Sequence, residues 1–404
     1  MKPVSNIALA AALALGAVVA LPASAQEQQA ALAKEERAAL LALGNAIQAR
    51  DYGTATSALA AAQAAARSGY GRYLASSLQL KLGIDTNNIG LQQTAIDSMI
   101  GSGAAPAASL PALYRNQAAL LQQAGKLDQA EAAYTRVLEL APADQDAMIA
   151  LAQVKHDRKK VPEAVALIDR AIEARQAAGQ PVPQSWYKRG IHLAVIGKMA
   201  PQTIKFSRGL VAAYPTPVNW RDAAFVYRDA AQPDPAMALD SWRLARAADA
   251  LAGERDYLAF ANALNAAGFE GEAKAVLDEG VAAKMVDPAQ PASKALIAAT
   301  EKDAAAGRKA LAALHTKAMA AATGTEALSA GDAHLAYGDY AKATALYQAA
   351  LAKGSVDPAL ANTHLGIALA MAGRKAEAEA AFRAVNGPRG DLASLWLVWL
   401  AQRA

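Results

Sequence analysis

The sequence predicts an all-α fold, a solenoid of about nine short helix pairs with a C-terminal capping helix, and three observations carry that prediction. Ala makes up more than a quarter of the 404 residues while aromatic residues make up only 5%. Such small side chains cannot fill one large globular core, but they suit helices packed closely together, and Ala has the best intrinsic helix propensity. Residues also recur at a fixed interval. Setting residues 113–142, LYRNQAALLQQAGKLDQAEAAYTRVLELAP, over the next segment of the chain places Ala118 over Ala152, Ala130 over Ala164 and Tyr134 over Ile168, each 34 residues on. Finally, Gly125, Gly197, Gly268, Gly338 and Gly373 fall where the first helix of a pair should end, and a left-handed cap costs Gly little.

In chain order, residues 1–25 read as a cleaved signal peptide: Lys2 supplies a positive start, Ile7 to Leu21 is apolar, and Ala23-Ser24-Ala25 is a small-residue cleavage site before Gln26. The apolar run is shorter than the roughly 20 residues of a membrane span. This predicts an exported, periplasmic or secreted chain with no stable span after cleavage. Residues 26–105 are a degenerate set of helices, in which Asp51-Tyr52-Gly53-Thr54-Ala55 matches the inter-helix turn at Asp339-Tyr340-Ala341-Lys342-Ala343. A central array is expected over 106–287, interrupted at Gly179-Gln180-Pro181-Val182-Pro183 and around Pro233-Asp234-Pro235, where Pro stops a helix. The C-terminal part, 288–404, holds Gly331, Ala343 and Tyr347, which return as Gly366, Ala378 and Phe382 at a spacing of 35. Within it, 292–323 reads as two helices with poor repeat matches. Residues 390–401, GDLASLWLVWLA, read as a helix closing the last groove with Trp396 and Trp399.

The pattern resembles the tetratricopeptide repeat, a 34-residue helix-turn-helix unit with a W-x2-L-G-x2-Y first helix, then A-x3-F and a late Pro. Trp220, Ala223, Ala224 and Tyr227 reproduce the first-helix positions, as do Trp186, Arg189, Gly190 and Leu193 one repeat earlier. Tyr114, Ala118, Leu121, Ala130, Tyr134 and Pro142 fill a third copy, and Ala261, Ala273 and Leu277 mark a fourth. No pair of this kind buries its own apolar face, so neighbours must stack. The resemblance implies a right-handed α-α superhelix whose first helices line a concave groove. In that register the groove face carries Arg115 and Gln122, then Ile149 and His156, then Tyr187, then Arg221, Phe225 and Arg228, then Asn262 and Asn265.

Chemistry is sparse. There is no Cys, hence no disulfide. His156, His192, His315, His334 and His364 are scattered one to a helix, outside any metal-ligand or nucleophile spacing, and read as surface or packing residues. No phosphate-cradling Gly motif occurs, so no cofactor, metal or catalytic site is expected. A net charge of +4 on 40 basic and 36 acidic residues argues against a nucleic-acid binder, which shows a clustered basic excess. The basic run His156-Asp157-Arg158-Lys159-Lys160 reads as a solvated turn. Arg221, Phe225 and Arg228 stand at i, i+4 and i+7, one helical stripe; guanidinium groups take carboxylates bidentately. These features predict a periplasmic scaffold binding a protein or extended peptide in its groove. The alternative is a carbohydrate-binding scaffold of an envelope or exopolysaccharide-export assembly, supported by Tyr187 and Phe225.

Overall fold

The computed structural model describes residues 32–231 and 234–403. The expected signal peptide and Pro233 of the second expected bend lie outside these. Among the described residues there are twenty α-helices, two short 3-10 turns and no strand. The chain divides into two compact units, Met1–Val182 and Pro183–Ala404.

In the first unit the described helices are α1 (Lys34–Gln48), α2 (Tyr52–Ala65), α3 (Gly69–Asp85), α4 (Ile89–Gly101), α5 (Leu110–Gln123), α6 (Leu127–Leu140), α7 (Gln145–Asp157) and α8 (Val161–Ala177). Each packs on its chain neighbour, so they form four consecutive pairs. Local chemistry sets several starts: Asp51, Asn88 and Asp144 accept hydrogen bonds from the backbone N–H of Thr54, Leu91 and Ala147, capping α2, α4 and α7. The repeat register holds, because Ala118, Ala130, Tyr134, Ala152, Ala164 and Ile168 are all buried where helices cross.

The second unit contains α9 (Gln184–Ile196), α10 (Ala200–Ala213), α11 (Pro217–Ala231), α12 (Pro235–Ala247), α13 (Gly253–Ala266), α14 (Glu270–Ala282), α15 (Pro291–Ala320), α16 (Thr325–Ala336), α17 (Tyr340–Lys353), α18 (Pro358–Met371), α19 (Lys375–Arg383) and α20 (Gly390–Ala401). Three of its pairs share one packing device. A Cβ on Gly190, Gly331 or Gly366 would stand 2.6 to 2.8 Å from the ring of Phe206, Tyr347 or Phe382, sixteen residues on in the second helix of the same pair. Only Gly admits the aromatic wedge there. Of the five glycines expected as left-handed caps, Gly125, Gly268, Gly338 and Gly373 have positive φ. At Gly197 the expectation fails: it ends α9 in right-handed geometry, and the next residue, Lys198, turns left-handed instead at φ 54°.

Two further expectations need correction. Residues 292–323 are not two helices; Pro291–Ala320 is one helix of 30 residues. Its interior holds no Pro and a single Gly, Gly307, which costs only about 1 kcal/mol in a helix. It stops where Ala321 becomes extended, and Lys353 Nζ donates to the carbonyls of Ala318, Met319 and Ala321 at 3.0, 2.9 and 2.8 Å, a cationic cap on the helix C-terminus. Helix α20 does more than close the last groove. Besides α18 and α19 it packs on α10 and α12, near the start of the unit. Trp399 Nε1 donates to the Ala247 carbonyl at 3.0 Å, and Gln402 Nε2 donates to that of Val211 at 2.8 Å. Trp396 stacks on Phe382 with centroids 5.6 Å apart. The second unit therefore closes on itself through its last helix.

Candidate functional site

Of the residues expected on the groove face, those on α11 make the most organised group. The register divides that helix as expected: Trp220, Ala223, Ala224 and Tyr227 are buried, while Arg221, Phe225 and Arg228 are half-buried. Burial pushes the Tyr227 phenol up to about 12. The two arginines differ sharply. Arg221 donates from Nε and Nη2 to both oxygens of Asp256 at 2.7 and 3.0 Å, a bidentate pair with a buried carboxylate of α13. Asp222, Asp229 and Asp240 are nearer to Arg221 in sequence, but the carboxylate that pairs with it, Asp256, comes from the next helix pair.

Arg228 has no such partner. Its guanidinium carbon lies 4.6 Å from the Phe225 ring centroid and 4.9 Å from that of Trp242 on α12. The closest carboxylate contact is 3.9 Å, from Nε to the largely exposed Asp229, and no hydrogen bond to the guanidinium is present among the described residues. Phe225 meets Trp242 edge-on at 5.2 Å, and Trp242 stacks on Phe260 at 5.7 Å. Arg221 also covers Phe225, at 4.5 Å. Arg228 is thus fixed by aromatic contacts, cation–π interactions worth roughly 0.5–1 kcal/mol each at exposed sites, with its hydrogen-bond donors unengaged.

The other expected residues scatter. Arg115 pairs with Asp144, whose second oxygen caps α7, so it serves the helix start. Gln122 is half-buried near the end of α5, and His156 is half-buried with an Nδ1 that finds no hydrogen-bond partner among the described residues. Asn262 is exposed, its amide donating to the Leu258 carbonyl of its own helix at 2.9 Å. Asn265 donates to Thr300 Oγ1 on α15 at 2.7 Å. Tyr187 must be corrected outright. It is 3% exposed, and a Cβ on Gly209 would come within 2.6 Å of its ring. Here Tyr187 takes the wedge role while the neighbouring Trp186 is only half-buried.

The histidines and the basic turn also hold more than their spacing indicated. In the first unit Lys155, Arg158 and Lys160 all converge on Glu131. Burial pushes that carboxyl up, but the three cations outweigh it and hold it down at about 2. The turn at 156–160 is therefore tied to the preceding pair. In the second unit a fully buried Asp240 accepts from Arg243 and Arg389, both at 2.8 Å, and lies 3.3 Å from His364 Nε2. His364 Nδ1 is 2.7 Å from Asp332, which also accepts from Tyr347, and Arg243 reaches Glu272 at 2.7 Å. Burial alone would lower His364. The carboxylates of Asp240 and Asp332 outweigh it and raise it to about 9, so the imidazolium completes a network of three cations and three carboxylates. Its role is to pin the turn before α20 to α12 and α18.

A recess of about 670 Å³ opens within the second unit, lined from α12, α14, α15, α18, α20 and the α16–α17 turn. Tyr337, Tyr340, Leu335, Ile367 and Met371 supply much of its apolar wall. Of its five cations, Arg243 pairs with Glu272, Arg246 with Glu279 at 2.8 Å, Lys274 with Asp278 at 2.6 Å, and Arg403 with Asp249 at 3.8 Å. The fifth, Arg308, lies over the Tyr337 ring at 5.7 Å. Nothing in the 34-residue register singled these residues out, because they come from helix ends and from α15, which breaks it. Among the described residues no group of three or more His, Asp or Glu is arranged to hold a metal ion.

Stacked helix pairs with small residues at their crossings define the class of helical-repeat interaction scaffolds. Comparison with known sequences names the repeat: the family described as tetratricopeptide repeat matches residues 115–181 and 328–391 of the chain. A search of curated proteins found no match. Solved structures similar to the chain include a tetratricopeptide repeat protein from Parabacteroides merdae (13% identity over 83% of this chain and 100% of that one, TM-score 0.35). Another is the Naa15/Naa10 complex bound to HypK-THB (14% identity over 91% and 60%, TM-score 0.43). A third is the TPR2AB domain of yeast Sti1 in complex with pHSP90 (13% identity over 73% and 100%, TM-score 0.25).

Proposed function

We propose that this chain is a scaffold of the bacterial periplasm that captures a protein partner or an extended peptide on the inner face of its second unit, with Arg228 as the anchor for an acidic group of that partner. The observation that carries this reading is the contrast between the two arginines of α11. Arg221 is neutralised by Asp256, whereas Arg228 is held between Phe225 and Trp242 with its donors unengaged among the described residues. A guanidinium already positioned loses little freedom on binding, and its fork matches a carboxylate. Protein is favoured over polysaccharide because Tyr187 is buried and Phe225 is covered by two guanidinium groups, which leaves neither aromatic face free for a sugar ring. The export signal at residues 1–25 supports the location.

The test is capture from an envelope extract by immobilised protein. Arg228→Gln should lose the partner, and Arg228→Lys should recover it only in part, since ammonium lacks the planar fork. Capture unchanged in Arg228→Gln would remove this residue from the reading. Export is checked by osmotic shock of the source cell, in which a periplasmic chain appears in the shock fluid.

A further inference from the structure

Helix α15 is long but lightly held, and two histidines stand at the joint that holds its second half. We propose that this joint is an acid-sensitive catch: in mild acid a proton on His334 loosens residues 305–317 of α15 from α16, while both ends of that stretch stay tied. Regulation of this kind is independent of Arg228.

The ties are few. Ahead of the stretch, the Tyr337 hydroxyl donates to the Ala304 carbonyl at 2.8 Å. Beyond it, Lys353 holds the carbonyls of Ala318, Met319 and Ala321. Between them Leu311 is the one buried side chain, and Gly307 weakens the helix from within. A segment with so little buried apolar surface opens at low cost, so a modest penalty at one neighbouring residue is enough to release it.

His334 of α16 is positioned to impose that penalty. Its side chain has no exposed surface, and its ring meets that of His315 of α15 edge-on, 5.5 Å away. Nδ1 lies 3.2 Å from a carboxylate oxygen of Asp339. An ionised carboxylate can only accept, so Nδ1 carries the hydrogen and Nε2 the lone pair. That Nε2 finds no hydrogen-bond partner among the described residues, and neither does Nδ1 of His315. A proton arriving on Nε2 therefore creates a buried cation, and a buried donor without an acceptor, beside a second imidazole.

The surrounding charges do not supply the missing acceptor. At the head of α17, Asp339 already faces Nδ1, and Lys342 adds like charge. On α18, His364 is engaged by Asp240 and Asp332; on α14, Glu272 is engaged by Arg243, and Glu270 acts on Tyr337. Of the cations of α15, Arg308 lies over Tyr337 and Lys317 acts on Glu326. Burial lowers His334, Asp339 opposes it, and His315 and Lys342 add to burial; the balance lies below the ordinary 6.5. The fold thus favours neutral His334, so the joint is intact above about 6.5 and weakens as pH falls below that value.

Hydrogen–deuterium exchange of the full chain, read by mass spectrometry at pH 7.5 and 5.0 and corrected for the intrinsic pH dependence of exchange, tests this. Protection of residues 305–317 should fall roughly fivefold or more at pH 5.0, while α18 and α19 keep theirs. In His334→Asn, whose amide can donate to Asp339 but takes no proton, or in His334→Gln if the first variant does not fold, the response should vanish. Equal protection of 305–317 at the two pH values in the wild type would overturn the proposal without any variant. So would a loss of the same size in α18 and α19, which would mean general acid unfolding, or a full response in the His334 variant.

Discussion

The two units each gather several charges around one carboxylate, and they do so in opposite surroundings. In the first unit Glu131 collects Lys155, Arg158 and Lys160 at a partly exposed site, with its side chain 15% accessible and that of Lys160 35%. In the second unit Asp240 collects Arg243, Arg389 and His364 with no exposure at all. The difference teaches what such a cluster is for. Near water, ions can be lost or gained with little consequence, because solvent screens whatever remains. In the interior every charge depends on its counter-charge, and the cluster then fixes which helices meet. Asp240 and Arg389 are 149 residues apart, so this cluster holds the end of the chain to α12.

The largest effect should come from breaking the buried cluster. Asp240→Ala leaves two guanidinium groups and an imidazolium facing one another, and removal of one partner of a buried pair typically costs about 3–5 kcal/mol. Urea unfolding followed by Trp fluorescence, which reports the buried Trp396 and Trp399, should show a loss of that size. Glu131→Gln in the first unit should cost distinctly less, and equal costs would break the comparison.

Next in size is the aromatic wedge. Gly366→Ala puts a methyl 2.6 Å from the Phe382 ring, an overpacking of the kind that costs about 1–3 kcal/mol. Gly373→Ala, at a left-handed turn with open space around it, should be milder and should leave the packing around Trp396 unaltered in near-ultraviolet circular dichroism.

A smaller effect separates the units by pH. Glu131 is held near 2, below its ordinary value of 4.5, so its contribution is present above about 4.5 and is lost as pH falls toward 2. His364 is held near 9, above its ordinary 6.5, so its contribution is complete below about 6.5 and is lost as pH rises through 9. Asp240, held well below the usual carboxylate range because His364, Arg243 and Arg389 outweigh its burial, gives the second unit an acid limb as well. The alkaline limb is therefore the discriminating one. Melting curves from pH 6 to 10 should show it, and His364→Gln should flatten it; an unchanged slope in that variant would assign the limb to another group.

The smallest effect on stability belongs to Arg228. Arg228→Gln removes two cation–π contacts and, among the described residues, no hydrogen bond, a loss of about 1 kcal/mol or a little more. Arg221→Gln leaves the buried Asp256 carboxylate with its Ala252 N–H but without its bidentate partner and should cost more. The reverse order in denaturant titrations would mean that Arg228 is framework and not a free anchor.

Much of this molecule is legible in its sequence because the repeat is a local device. The repeat spacings of 34 and 35 residues located the crossings at Ala118, Ala152, Ala223 and Ala343 and the wedges at Tyr347 and Phe382, all of which are buried. Helix propensity, caps and nearest-neighbour packing act over a few tens of residues, and periodicity reports that range. The same periodicity misleads where the repeat lapses. Residues 292–323 lack a breaker strong enough to divide them, and the wedge next to Gly209 passes to Tyr187, one residue from the position the register assigns to Trp186.

What the sequence by itself determined, then, is the α-helical pairing and the division of α11 into a buried face and a half-buried one. Which of that second face's two arginines keeps its donors was decided only in three dimensions. Arg221 and Arg228 are the same residue type on one stripe, seven residues apart, and they differ because Asp256 of α13 reaches one of them and not the other. The docking of α20 on α10 and α12, the buried network around Asp240 and the recess beside α15 have the same origin. Each joins side chains separated by tens to more than a hundred residues, and no local preference records which distant charge or aromatic ring the stacked helices will bring within reach.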